Sequence, residues 1–160
     1  MPLQIWGDFR KHSLSRHRLL GWLIVGLLSI GMTTSFYIAR PMREVEAGGG
    51  MTSEVGFYGM ALATSYCVLM GLLKIRQKKV DEHRQWMIRA YGTMWGAFFW
   101  FRIAMVAFLP LMPDKYHHGL GLISNLSWMS GWIGADIALS LTSSNADSIR
   151  SKSGGVKKQA

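Results

Sequence analysis

The sequence predicts an all-α integral membrane protein, a bundle of four membrane helices with both termini cytoplasmic. Two observations predict it. The first is four long apolar stretches: Leu19–Ala39, Val55–Leu73 and Tyr116–Ala135 carry no charge, and Ala90–Pro113 carries one, Arg102. Each is near the ~20 apolar residues that a helix needs to cross a ~30 Å hydrocarbon core, where the backbone must satisfy itself as helix. The second is the placement of charge. Basic residues gather before the first stretch (Arg10, Lys11, Arg16, Arg18), between the second and third (Lys74, Arg76, Lys78, Lys79, Arg84, Arg89) and after the fourth (Arg150, Lys152, Lys157, Lys158). The other connections hold Arg40, Arg43 and Lys115 against Glu44, Glu46, Glu54 and Asp114. With all four stretches spanning, this is the positive-inside pattern.

Along the chain, residues 1–18 form a basic interfacial lead-in. Ile5, Trp6 and Phe9 would share one face of a short helix lying on the headgroups, anchored by Trp6. An irregular lead-in is the alternative, because Pro2 and Gly7 both weaken a helix. The charged segment is long and no small-residue cleavage site follows, so a cleaved signal is not expected. The membrane domain covers residues 19–140, with spans at about 19–39, 55–73, 88–112 and 117–139. Pro41 and Gly48-Gly49-Gly50 predict a flexible turn after the first span. Lys74–Arg89 has neither Gly nor Pro and is predicted to continue as helix. Asp81 falls near the start of the third helix, where an acid suits the dipole. Residues 141–160, rich in Ser, Gly and Lys, read as a basic flexible tail.

In 160 residues, four spans leave little room for a soluble domain. The formal charge of +9 would suggest nucleic acid in a soluble chain. Its segregation to one end argues instead for anionic lipid headgroups, at ~1 kcal/mol per well-placed residue, and against nucleic acid. Cys67 is the sole cysteine, so no intrachain disulfide can form. Asn125-Leu126-Ser127 matches a glycosylation sequon but falls inside the fourth span.

Small residues recur at helix-contact spacing. Gly92 and Gly96 form a GxxxG pair, and Ser127, Gly131 and Ala135 form a small-xxx-small ladder. Such residues let backbones approach where no hydrophobic force acts between helices. They serve either internal packing of the third and fourth helices or a face for a partner subunit or second copy.

Few polar residues need explaining. Arg102 lies thirteen residues beyond Arg89, roughly 20 Å deeper along a helix, and so nearer the outer face. It must face the bundle interior or snorkel, with Glu46, Asp114, a carbonyl, or the acid of a lipid or cofactor as partner. Asp136, at the inner end of the fourth helix, matches Arg89 in depth rather than Arg102, so Arg89–Asp136 is the expected ion pair. His17 and His83 lie at the inner membrane edge and could in principle ligate one haem or metal. Interfacial histidines bound to headgroups are the alternative. His117-His118 reads as outer surface. No nucleophile–base pair, phosphate loop, HExxH or CxxC is present.

The stretch His83-Arg84-Gln85-Trp86-Met87-Ile88-Arg89-Ala90-Tyr91 resembles the HRxWMxRxY signature of DUF2306, a bacterial family of predicted membrane proteins. Arg102 matches that family's arginine in the following helix. Pro2-Leu3-Gln4 followed by His17-Arg18-Leu19-Leu20-Gly21 is similar to its PFQ…HRxxG segment. Trp128 and Asp136 fall where the family has a Trp and an acid, while Gly131 departs from its usual Asn. The resemblance covers most of residues 2–140 and implies a bacterial inner (cytoplasmic) membrane location. Family members usually carry further helices ahead of this region, so it also implies a shortened relative. It brings no established activity.

Two functions follow as expectations. One is an accessory or scaffold subunit, docked to a larger membrane assembly or to its own copies and to anionic lipid. The alternative is a redox protein handling haem b or quinone through His17, His83 and Arg102.

Overall fold

The computed structural model describes residues 14–44, 49–108, 111 and 116–156, excepting the side chains at 42, 108, 116–118 and 145–156. The amphipathic lead-in around Trp6, the acids Glu46 and Asp114, and the side chains of His117 and His118 lie outside the described residues.

Helices, joined where described by short turns, make up the described residues, in four rods. α1 is Leu14–Glu44 and α2 is Gly50–Arg76. The third rod is α3 (Val80–Trp95), a π turn (Gly96–Trp100) and α4 (Phe101–Phe108) in direct succession. α5 is Tyr116–Val156. α1 and α2 are each long and apolar enough to cross a membrane.

The rod ends differ from the expected spans for local reasons. α1 runs through Pro41 to Glu44. A proline there forfeits one backbone donor in the last turn, which costs less than a break in mid-helix. α2 starts at Gly50, with Gly49 left-handed at φ 80°. The second connection does not continue as helix: it turns at residues 77–79. Lys79 N–H reaches the Lys74 carbonyl and Lys78 N–H the Ile75 carbonyl, both at 3.0 Å. That is the paired-bond end of a Schellman motif, with Lys78 (φ 61°) in the left-handed position usually held by Gly. α3 then starts with Asp81 and Glu82 in its first turn. Helical backbone continues to Val156, where composition alone reads a flexible tail. No proline interrupts residues 114–160, and an established helix extends at one hydrogen bond per residue fixed.

α2 is central, lying against α1, α3 and α5; α5 also lies against α3, the π turn and α4. Successive rods run in opposite directions. At one end, Val25 and Leu28 of α1 meet a core of Cys67, Val68 and Ala90, beside Leu72, Trp86 and Trp132. At the other, Phe36 stacks on Tyr58 at 5.4 Å, and Asn125 of α5 donates to the Thr52 carbonyl of α2.

Packing is inverted relative to a water-soluble bundle. The largest fully buried side chains are Thr64, Thr93, Cys67 and Ser53, while Leu19, Leu27, Ile30, Leu126 and Val106 face outward. In lipid, burial of large apolar groups gains little and close approach of small ones gains most.

The small-residue ladder is used inside the molecule. A Cβ on Gly131 would collide with the Gly92 carbonyl, and one on Gly92 would lie 2.7 Å from the Ala135 Cβ. A Cβ on Gly96 would collide with the Ser127 carbonyl and lie 2.8 Å from the Gly131 Cα. Of the two uses the spacing allows for Gly92, Gly96, Ser127, Gly131 and Ala135, the contacts are those of internal packing, and the neighbouring helix fills that face. Gly26 and Gly31 of α1, by contrast, have open space around them.

Gly96→Leu should therefore lower stability by ~1–3 kcal/mol or more, the cost of overpacking against a backbone that cannot yield. Gly26→Leu should not destabilise the isolated chain. Unfolding midpoints of both variants in one detergent check the contrast, and equal loss in both would refute the internal seam.

Candidate functional site

The polar groups of the bundle collect where α3 faces α2 and α5. His83, Trp86, Met87, Arg89, Ala90 and Thr93 recur every three or four residues, so they share the inner side of α3. The glycine seam holds α5 one contact away, with Asp136 at the depth of Arg89.

Arg89 Nε donates to Asp136 Oδ1 at 2.6 Å. Trp132 Nε1 donates to Asp136 Oδ2 at 3.1 Å, so both carboxylate oxygens accept. The Arg89 guanidinium also lies 4.9 Å from the Trp86 ring centroid, a cation–π distance. The side chains are 23% and 44% exposed, which places the pair at the rim of the bundle rather than in its dry centre. The arrangement fixes helix rotation and depth. Among the described residues it offers no nucleophile beside a general base.

Nearly two turns before Arg89, His83 Nδ1 lies 2.7 Å from the Gly71 carbonyl oxygen. A carbonyl only accepts, so Nδ1 carries the proton, and in the neutral imidazole the lone pair falls on Nε2. A Cβ at Gly71 would lie 3.0 Å from Met87 Sδ, so that flexible side chain would have to give by a few tenths of an ångström, and 3.6 Å from His83 Nδ1, an ordinary contact. At the same end Glu82 bridges Lys74 Nζ (2.6 Å) and Lys79 Nζ (3.0 Å). The hydrogen bond from Lys74, then that from Lys79, holds its carboxyl below the usual carboxylate range.

Other expected residues do not join this cluster. Arg102 is exposed on α4, its guanidinium 5.7 Å from the Phe98 ring centroid. It faces outward rather than entering the bundle. His17 is half-buried on the first turn of α1. Asn125 of the sequon points inward, donating to the Thr52 and Gly121 carbonyls at 2.8 and 2.9 Å.

A cleft of ≈ 40 Å³ lies between α2, α5 and the start of α4, lined by Gly56, Met60, Phe101, Ser124 and Trp128 among others. Its volume would admit one or two waters, far less than a haem or a quinone ring. Trp128 Nε1 is buried without a partner among the described residues, as are the Ser53 and Thr64 hydroxyls. Among the described residues no three of His, Cys, Asp and Glu gather as a metal site.

Sequence reasoning missed Trp132 and Trp86, the groups that complete the Arg89–Asp136 pair. Their signal is spacing: Trp132 precedes Asp136 by four and Trp86 precedes Arg89 by three, both same-face intervals. It also missed Gly71, whose role depends on a side chain of another helix.

A family model described as a predicted membrane protein family, DUF2306, matches residues 2–139. The chain belongs to that family. No curated protein and no solved structure matches it. The polar cluster of this DUF2306 member falls inside the matched region, as do the glycine seam and Arg102. The description fixes membrane residence and leaves activity open.

If the Arg89–Asp136 bond holds α3 to α5, truncating either side chain to Leu should destabilise the DUF2306 bundle. The double variant should lose less than the sum of the two. A double-mutant cycle should return a coupling of roughly 1–3 kcal/mol, and additive losses would show that the pair does not cross-link the helices.

Proposed function

We propose that this protein is a four-span component of the bacterial cytoplasmic membrane, both termini inside, that serves as an accessory or scaffold subunit of a larger membrane assembly. The observation that carries the reading is α1. Only 6% of its most apolar stretch is buried, against 33% for α2. Its uncovered surface is not a plain lipid face. Gly26, Ser29 and Thr33 lie on one side of the helix, all exposed, with nothing near Gly26. Ser29 and Thr33 donate to the carbonyls four residues earlier, at 2.8 and 2.9 Å, so these hydroxyls need no water. A small, self-satisfied face on a membrane helix suits close approach by another helix.

The charge pattern supports the topology. With successive rods antiparallel, Arg16, Arg18, Lys74, Arg76, Lys78, Lys79 and Arg84 share one end. The other end carries Arg40, Arg43 and Glu54, with Arg43 and Glu54 paired at 3.6 Å. The basic end is the one expected to stay in the cytoplasm and to rest on anionic headgroups.

Extraction in mild detergent or polymer discs should recover the chain in a complex larger than itself, and Gly26→Leu should release it while leaving the fold intact. In a Cys67→Ala background, Ser29→Cys should form a disulfide dimer on oxidation if the partner is a second copy. Recovery as a free monomer from both extractions would refute the subunit reading.

A second reading, haem b or quinone handling, is favoured by one observation. The Nδ1–H bond of His83 to a backbone carbonyl is the arrangement that orients a ligating imidazole and leaves Nε2 available. Under it, a reduced-minus-oxidised spectrum of the purified protein shows a Soret shift and sharp α-bands that His83→Ala removes. A featureless spectrum ends the haem assignment and leaves the subunit reading in place.

A further inference from the structure

Arg102 is a charge set in an exposed apolar surface. Its neighbours Phe98, Phe99, Trp100, Ile103 and Val106 are all exposed. Among the described residues no carboxylate lies within ion-pair distance of it. Its observed companion is the Phe98 ring. A guanidinium on a lipid-facing surface is costly until it meets a counter-charge or reaches the headgroups.

Its height on the rod allows that meeting on one side. Arg102 lies thirteen residues past Arg89, roughly 20 Å of helix, away from the basic end. A long side chain carries the charge the remaining distance to the headgroups of the far leaflet. Exposed rings lie along the turns that precede it, and of these Phe98 reaches the guanidinium. Trp95 and Phe99 stack at 5.1 Å, and Phe99 meets Trp100 edge-on at 5.6 Å. These rings are also exposed. They form a stiff wall beside a planar cation whose fork matches a phosphate bidentately.

We propose that Arg102 and this aromatic wall bind an anionic phospholipid of the leaflet opposite the basic end. The phosphodiester sits on the guanidinium, and the first acyl segment lies against Phe98, Phe99 and Trp100. Charge complementarity selects a lipid: the occupant must be anionic at one end and apolar along the rest. The site is separate from the lysine-rich end, and it rests on the topology proposed above.

Native mass spectrometry of the full chain in detergent tests it, with phosphatidylglycerol and phosphatidylcholine of matched acyl chains as probes. The wild type should retain phosphatidylglycerol preferentially. Arg102→Gln should weaken the tightest association about tenfold or more, the loss of a charge-assisted pair, and Arg102→Lys should fall between. Lys78→Gln with Lys79→Gln should reduce the weaker associations and spare the tightest. Phe99→Leu, which keeps the charge, should reduce the dependence of retention on acyl-chain length. Equal retention by the wild type and Arg102→Gln would overturn the site. So would displacement of the lipid by inorganic phosphate at equal concentration, the mark of a bare anion site, or by a peptide bearing a buried-type carboxylate. Topology is read independently by labelling Arg102→Cys, in a Cys67→Ala background, with an impermeant maleimide. Labelling from the outer face with no lipid preference overturns the lipid site alone. Labelling only from the cytoplasmic face overturns the topology with it.

Discussion

The contact between the backbones of α3 and α5 sets the rest of the structure. Gly92 and Gly96 meet Gly131 and Ser127 so closely that a single added carbon would strike a carbonyl. At that separation the two helices have no freedom to slide or rotate, and the surrounding polar groups fall into register. Arg89, one turn before Gly92, comes within 2.6 Å of Asp136, just past Ala135. Trp132, one turn before Asp136, completes the carboxylate. A bulkier residue on the seam would part the helices and leave a half-satisfied ion pair at the rim of the bundle. The glycines and the ion pair are therefore one device, with the first fixing distance and the second fixing phase.

The interior this device creates is small and partly polar, and the molecule meets its surroundings with Leu, Ile, Val and Trp. Membrane residence, which belongs to the family of this chain, explains the inversion. Lipid gives no reward for hiding leucine, so close fit and satisfied hydrogen bonds govern association. Several hydroxyls follow the same rule inside and outside the bundle, with buried Ser53 and Thr64 as exceptions. Thr93 donates to the Arg89 carbonyl inside the bundle, and Thr34 to the Ile30 carbonyl outside it. Each is satisfied within its own helix, as a hydrocarbon solvent demands.

Much of this was legible in the sequence. Helical class follows from the length of the apolar runs. Counting depth along opposed helices separated Arg89 from Arg102 as the neighbour of Asp136, because a rise of 1.5 Å per residue is a reliable ruler. The small-residue ladder was legible as a contact but not as to whose, since spacing says that two backbones approach and not whether they belong to one chain. The turn at Lys78 escaped because it uses a lysine where the rule looks for glycine. The hydrogen bond of His83 to the Gly71 carbonyl depends on a second helix and leaves no local trace. The π turn has no compositional mark: GAFFW reads as ordinary helix.

That π turn has a consequence for how relatives of this chain can differ in length. A π turn accommodates one residue more than the α-helical segment it replaces, so it absorbs that residue without turning the rod beyond it. Loss of a single residue between Gly96 and Trp100 would restore regular helix and leave both flanking segments on the faces they now occupy. Arg89 and Gly92 would keep their partners, and the outward surface around Arg102 would keep its side chains. A one-residue change in the regular helix on either side would instead swing everything beyond it by ~100° about the rod axis, at 3.6 residues per turn. The rod thus has one place at which its length can change by a residue without exchanging its outward surface.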